Sequence, residues 1–437
     1  MPGETADDSY NSSRLRERLV LTILAAVQFT TIVDFMIVMP LGPQLMRTLH
    51  IGPREFGLIV SSYTFAAGAA GLIASSVVDR FARRSAFMTL NAGFLFGTLC
   101  CALAPTYLTL VLARIATGAF GGLLGGMAMT IIGDVFPEHR RGAATGSLMT
   151  GFALASVAGV PLGLFLGTNY GWHIPFIALA LGGIPALLLT PFAMPRLDSH
   201  VHKAHAHPLR SLVETFSRAN HLNAFALIIT LMIGGFSVFP YVSAYLVSNV
   251  GMTEQQLPII YIAGGGLTLL AAPLVGRLAD RFGKLKVFRI ISPASALLLL
   301  ALTHLPRVPT AVAVVVFGAL MVSNVGRMIA AMAMVTSSVE PRRRGGFLSA
   351  NSSVQHIASG LGAYIGGVTI TQAASGSIEH FGTVGWIAAG VTLASIWLAG
   401  RVRILDETSP TAQSISLAAA AEASADSGET LIGSVEN

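Results

Sequence analysis

The chain has 437 residues, of which 53% are hydrophobic and only 11% charged, with a mean hydropathy of +0.69. So few charges cannot wet the surface of a soluble domain, which excludes that class and points to a membrane protein. The formal net charge of +6 reads as a topology signal rather than a nucleic-acid footprint, because of where the cations fall along the chain.

A polar arm, 1–18, comes first and is too hydrophilic for a cleaved signal peptide. Six apolar segments follow, at 19–41, 55–78, 85–105, 107–132, 143–167 and 172–193. A polar linker, 194–220, precedes six more at 221–248, 255–276, 287–305, 309–335, 346–371 and 380–400. A helix needs about 20 residues to cross a ~30 Å hydrocarbon core. The segments do not alternate with period two, so they predict helices rather than strands of a barrel. The predicted architecture is an all-α membrane protein with twelve transmembrane helices in two pseudo-symmetric six-helix bundles, 19–193 and 221–403. The tail, 404–437, carries six acidic residues and no basic one after Arg403, and is expected to be disordered.

Cations set the orientation. With the N-terminus placed in the cytoplasm, 22 of the 27 Lys and Arg fall on the cytoplasmic side, and outside loops hold only Arg47, Arg54 and Arg307. The positive-inside rule then predicts both termini in the cytoplasm, as for a multi-pass protein of a bacterial inner membrane. The adjacent Cys100 and Cys101 point in different directions on a helix and read as small apolar packing residues.

The chain repeats itself. Asp79-Arg80-Phe81-Ala82-Arg83 follows the second segment and Asp280-Arg281-Phe282-Gly283-Lys284 follows the eighth, with Asp79 and Asp280 201 residues apart. Arg140-Arg141-Gly142 and Arg343-Arg344-Gly345 recur at an offset of 203, and Pro40 and Pro240 at an offset of 200. Duplicated bundles of this kind build transporters that hold their substrate near the midplane between halves.

On these residues the chain resembles the major facilitator superfamily over 19–403. The run Gly276-Arg277-Leu278-Ala279-Asp280-Arg281-Phe282-Gly283-Lys284 matches that family's loop motif in full. The first-half copy departs from it, with Ser75 and Ala82 where the family prefers glycine. Arg114-Ile115-Ala116-Thr117-Gly118 resembles the R-x-x-x-G motif of proton-coupled members. Gly159-Val160-Pro161-Leu162-Gly163 followed by Gly171-Trp172-His173 is similar to the fifth-span motif of twelve-span drug–proton antiporters, in the arabinose-efflux-permease-like branch. Val160, Leu164 and His173 depart from the stricter antiporter form. The resemblance implies proton-coupled efflux of a small organic solute or drug by alternating access. A proton-coupled importer of a polar metabolite is the alternative. The expected partners are a small-molecule substrate, protons and the bilayer, with no nucleic acid and no cofactor, in a monomer.

Asp34 is a carboxylate inside an apolar segment, which marks a functional site by default. At 1.5 Å per residue it lies about 22 Å along the first segment, and Arg114 lies about 10 Å into the descending fourth, so the two share a depth. Burial favours the neutral acid and a neighbouring cation favours the carboxylate, so a change in either would move a proton on or off Asp34. The competing interpretation is a structural ion pair between the first and fourth helices. Asp79, Arg80, Arg83, Gly276, Asp280, Arg281, Gly283 and Lys284 form the two loop copies and predict a cytoplasmic gate latch. Gly159, Pro161 and Gly163 carry the fifth-span motif.

Arg327 and His356 are the Arg and His residues that lie well inside spans of the second half, away from their ends. With Asn324 and Gln355 they are candidates to line a substrate cavity or to join the tenth and eleventh helices. Gln28, Tyr63, Phe236, Phe239, Tyr241 and Tyr261 complete the candidate lining. The abundant span glycines read as close helix packing. His200, His202, His205 and His207 cluster in the linker, where metal sensing is an alternative, but His-x-His spacing on a polar linker is weak evidence for a metal site. Among the spans no G-x-S-x-G, H-E-x-x-H or His/Asp pair supports an enzyme, and no signalling module in linker or tail supports a sensor.

Overall fold

The computed structural model describes residues 6–77, 81–194, 214–340 and 343–404. Asp79, Arg80, the linker histidines and the acidic tail lie outside the described residues.

The described chain is almost entirely helical. The first half contains α1 (Ala6–Ile37), α2 (Gly42–Leu49), α3 (Pro53–Val77), α4 (Arg83–Ala102), α5 (Tyr107–Val135), α6 (Glu138–Leu154), α7 (Val160–Tyr170) and α8 (His173–Ala193). The second half contains α9 (Ala219–Phe236), α10 (Val242–Tyr245), α11 (Leu257–Phe282), α12 (Lys284–Thr303), α13 (Thr310–Ser337), α14 (Arg344–Thr369) and α15 (Phe381–Arg401). Eleven helical stretches among the described residues are long and apolar enough to cross a membrane. The twelfth long helix, α14, misses that threshold because it carries Asn351, Ser352, Ser353, Gln355, His356 and Ser359. It packs against α3 of the other half and α9 of its own, and all of these polar residues but the exposed Ser352 are buried or half-buried there.

Several boundaries differ from those predicted. The first segment does not continue to 41: Pro40 and the Gly42-Pro43 pair end it, and α2 follows as a separate amphipathic helix closed by His50 in the left-handed region (φ 52°). The seventh segment breaks into α9, a 3₁₀ turn over Phe239–Tyr241, and α10, because Pro240 cannot donate the interior helical bond. Helices α6 and α7 form one span joined by a π-turn, Ala155–Gly159. It is positioned just before Pro161, whose missing N–H loosens the ladder there. A two-stranded hairpin, β1 (Thr371–Gln372) and β2 (Ile378–Glu379), occupies the last connection.

The sequence repeat is also a repeat of contacts. The Arg141 Nε donates to the Phe136 carbonyl at 3.0 Å, and at an offset of 203 the Arg344 Nε donates to the Val339 carbonyl at 3.3 Å. Likewise Arg83 pairs with Asp134 at 3.3 Å where Lys284 donates to Ser337 at 2.7 Å. The copies differ at Ala82 and Gly283. Gly283 adopts φ 92°, which disfavours a side chain, whereas Ala82 sits at φ −55°. The loss of glycine in the first copy is thus matched by a different turn.

Two cross-half seams join the bundles, α3 with α14 and α7 with α11. Away from the termini, one apolar core runs across both halves, joining Ile37, Leu41, Leu45 and Phe56 to Tyr241, Val242, Leu246 and Phe381. At the end carrying the termini the cores are separate. Val20, Leu24, Phe87 and Ile131 belong to one, and Phe225, Phe288, Met334 and Phe347 to the other. The halves therefore share an apolar seal at the far end and keep separate apolar cores at the terminal end.

Candidate functional site

Asp34 and Arg114 meet as their depths predicted. The Arg114 Nη1 donates to Asp34 Oδ2 at 2.7 Å, and both side chains are wholly buried. Thr98 on α4 donates to Asp34 Oδ1 at 3.1 Å. The same Arg114 nitrogen reaches the Asp34 carbonyl at 3.4 Å, and the guanidinium lies 4.3 Å from the centroid of the Tyr63 ring. Four helices, α1, α3, α4 and α5, thus converge on one charge pair. Arg114 Nε and Nη2 are buried without a hydrogen-bond partner among the described residues.

Small residues permit this convergence. A Cβ on Gly118 would lie 2.2 Å from the Tyr63 carbonyl, so the glycine of the R-x-x-x-G motif lets α5 approach α3. A Cβ on Gly97 would meet the Thr117 hydroxyl at 2.7 Å, closing α4 on α5. On α7 the motif glycines serve α1: a Cβ on Gly159 would meet Val33 at 2.3 Å and one on Gly163 would meet Ile37 at 2.9 Å. Pro161 lies buried between them. Gly167 continues the stripe against Leu41. The fifth-span motif therefore sets the distance between α7 and the helix that carries Asp34.

From the pair an aromatic path crosses to the second half. Phe35 stacks on Tyr63 at 5.2 Å and meets Phe236 of α9 at 5.8 Å. Phe239 is half-buried beside Gly235, as is Asn324, and Gln28 is half-buried beside Gly125 of α5. Gln355 donates to the Met332 sulfur at 3.8 Å. His356 is half-buried, with no hydrogen-bond partner among the described residues. Tyr261 hydrogen-bonds Ser243 at 2.8 Å and packs edge-on to Phe317.

Two candidates fall elsewhere than predicted. Tyr241 is fully buried in the far-end seal, edge-on to Phe56, with its hydroxyl donating to the Ala363 carbonyl at 2.5 Å. It closes the seam and lines no open surface. Arg327 does not join α13 to α14; its Nη1 donates to Ser295 on α12 at 3.0 Å, inside the second bundle. The one-turn spacing of Arg327 from Asn324 concealed that its neighbour α12 lies behind the seam.

The loop motif is open in this conformation. Asp280 is exposed and has no ion pair among the described residues, and Arg281 lies over the neighbouring Phe282 ring. Gly276 faces open space, so nothing here demands its small size. At the opposite end a bidentate pair missed in the sequence joins the halves: Arg47 of α2 bonds Glu254 at 2.5 and 3.3 Å. The hydrogen bond to Glu254 raises the Arg47 guanidinium above its ordinary range, so the cation persists at any physiological pH. A vestibule of about 580 Å³ lies around this pair, bordered by His50, Ser248, Gln372 and Gly376. The available signal was the amphipathic run 42–49, which fits neither a span nor a plain loop.

A sequence profile described as Major Facilitator Superfamily matches residues 24–330 and 225–425. The inner membrane transport protein YdhP of Escherichia coli (strain K12) is 27% identical over 372 residues, covering 83% of this chain and 91% of that protein. The uncharacterized MFS-type transporter YtbD of Bacillus subtilis (strain 168) is 25% identical over 400 residues, covering 91% and 98%. In fold, the crystal structure of a D-xylose–proton symporter is similar with a TM-score of 0.72 at 14% identity, over 88% of this chain and 98% of that one. A bacterial homolog of the human lysosomal transporter Spinster, in an inward-facing and unoccupied conformation, gives 0.65 at 15% identity, over 92% and 96%.

Proposed function

Because the chain belongs to the major facilitator superfamily, we propose that it is a secondary active transporter that exports a small organic solute in exchange for protons. The observation that carries this reading is the buried Asp34–Arg114 pair. Burial disfavours the Asp34 carboxylate, and the guanidinium and the Thr98 hydroxyl offset that cost only while both contacts persist. Rocking the halves separates Phe35 from Phe236 and lets α1 repack against α5 within its own bundle, which alters the charge contact and with it the proton on Asp34. Phe35, packed on Tyr63 and Phe236, ties that movement to the face where α9 meets the first half.

Cargo binds in this scheme between the halves, among Gln28, Phe236, Phe239, Asn324, Gln355 and His356. An apolar wall with scattered hydrogen-bonding groups suits a moderately lipophilic organic molecule. The charge distribution supports termini in the cytoplasm of an inner membrane, so the end with separate cores faces inward. Asp280 then latches that end in the outward-open state, and Arg47 with Glu254 latches the other in the state described.

Proteoliposomes with an imposed pH gradient test the reading. Wild type should move solute against its gradient toward the acidic side. Asp34→Asn should lose that drive while still exchanging labelled for unlabelled solute. Full pH-driven flux in Asp34→Asn would overturn the coupling role, and accumulation on the alkaline side would replace export with import.

A further inference from the structure

Arg327 is a cation buried inside one bundle, with no acid paired to it among the described residues. It is 1% exposed, and among the described residues its contact is a single hydroxyl, that of Ser295, while its Nε and Nη2 have no hydrogen-bond partner. It differs from Arg114, whose charge Asp34 already neutralises. A lone guanidinium at that depth is costly unless a counter-charge or strong acceptor meets it.

Buried hydroxyls line α12, which carries Ser295, and α15, which packs against it. Ser292 and Ser295 lie fully buried on one face of α12, and Thr392 and Ser395 fully buried on α15. Helices α12 and α15 run antiparallel: Thr303 faces Gly385 at one end and Arg289 faces Gly400 at the other. That register sets Thr392 level with Ser295. Thr392 also reaches α9, with its hydroxyl 3.2 Å from a Cβ on Gly234, and this hydroxyl too has no partner among the described residues. Ser295 accepts from Arg327, which leaves its own proton free to donate.

We infer that Arg327, Ser295 and Thr392 form a binding site for a small monovalent anion of the chloride class inside the second bundle. One guanidinium supplies one positive charge, which one monovalent anion balances. The two hydroxyls supply donors without adding charge. Complete burial within one bundle selects a compact ion over a carboxylate-bearing solute. The site stands apart from the Asp34 pair and does not depend on the transport reading.

Thermal unfolding of the full-length protein in nanodiscs tests this, with sodium chloride replacing sodium gluconate at constant ionic strength. Wild type should gain stability saturably with chloride, and bromide should substitute. Ser295→Ala/Thr392→Val should fold and raise the half-saturating chloride concentration at least tenfold. Arg327→Met should lose the response. Bromide-grown crystals should show anomalous density beside the Arg327 guanidinium. Equal unfolding in chloride and gluconate, or an unchanged half-saturation in the Ser295→Ala/Thr392→Val variant, would overturn the site.

Discussion

At the residue scale, the Asp34–Arg114 pair is the contact whose loss should be felt most. Removing one partner of a buried pair leaves an uncompensated charge and costs about 3–5 kcal/mol. Arg114→Gln should therefore unfold at lower temperature than wild type, and Asp34→Asn/Arg114→Gln should recover part of the loss. A double-mutant cycle on detergent-solubilised protein measures the coupling; strictly additive effects would mean the 2.7 Å contact contributes nothing. This pair was legible in the sequence because two charges in apolar segments are rare and helix rise converts position into depth. Thr98 and Phe35 were not, since a threonine or phenylalanine in a span carries no signal of what it faces. Arg327 was visible as a charge, but its partner was not: the sequence shows depth along a helix and not rotation about it.

At the scale of elements, the α7 glycine stripe makes a directional prediction. A side chain on Gly159 must displace Val33 and Phe29, and overpacking of this kind costs about 1–3 kcal/mol. Gly159→Val should lower the unfolding temperature and also weaken pH-driven flux, because α1 is pushed sideways with Asp34 on it. Gly126, with nothing within 4 Å of its Cβ position, is the contrast: Gly126→Ala should be neutral or stabilise α5 by up to about 1 kcal/mol. Circular-dichroism melts of both variants check the pair. The number and order of the long helices followed from segment length and hydropathy, and the two-half arrangement from the repeated loops. The breaks did not follow. Pro40 and Pro240 were seen as repeat markers, but that one would free an amphipathic α2 and the other a 3₁₀ turn depends on packing against the opposite half.

At the scale of the whole molecule, the proposed function assigns a latch to each end. Arg47 and Glu254 are closed and Asp280 is open, so the variants should push the equilibrium in opposite directions. Glu254→Gln should favour opening of the far end and Asp280→Asn should favour the state described here. An exposed pair is worth about 0–1 kcal/mol, so the shift from Glu254→Gln should be at most a few-fold and shrink at high salt. Cysteine accessibility on each side of the membrane reads both. Movement of both variants in the same direction would contradict the opposed arrangement. The motif proposed as the terminal-end latch was legible because it recurs at 201 residues, although its first copy lies partly outside the described residues. The far-end latch has no second copy and became visible only when α2 was seen to reach the other half.

Under the proposed alternating access the seam that opens is apolar, whereas the seam that closes is edged by Arg83, Asp134, Arg141, Asp280, Lys284 and Arg344. Phe56, Leu45, Val242 and Leu246 leave a shared core when the far end parts, and polar loops come together in exchange. Exposing apolar surface raises heat capacity and burying polar surface raises it as well. The conformational equilibrium should therefore respond to temperature along a curve rather than a line. Cooling weakens the apolar seal, so the outward-open population should grow toward low temperature, and a van't Hoff plot of spectroscopic distance populations should bend accordingly.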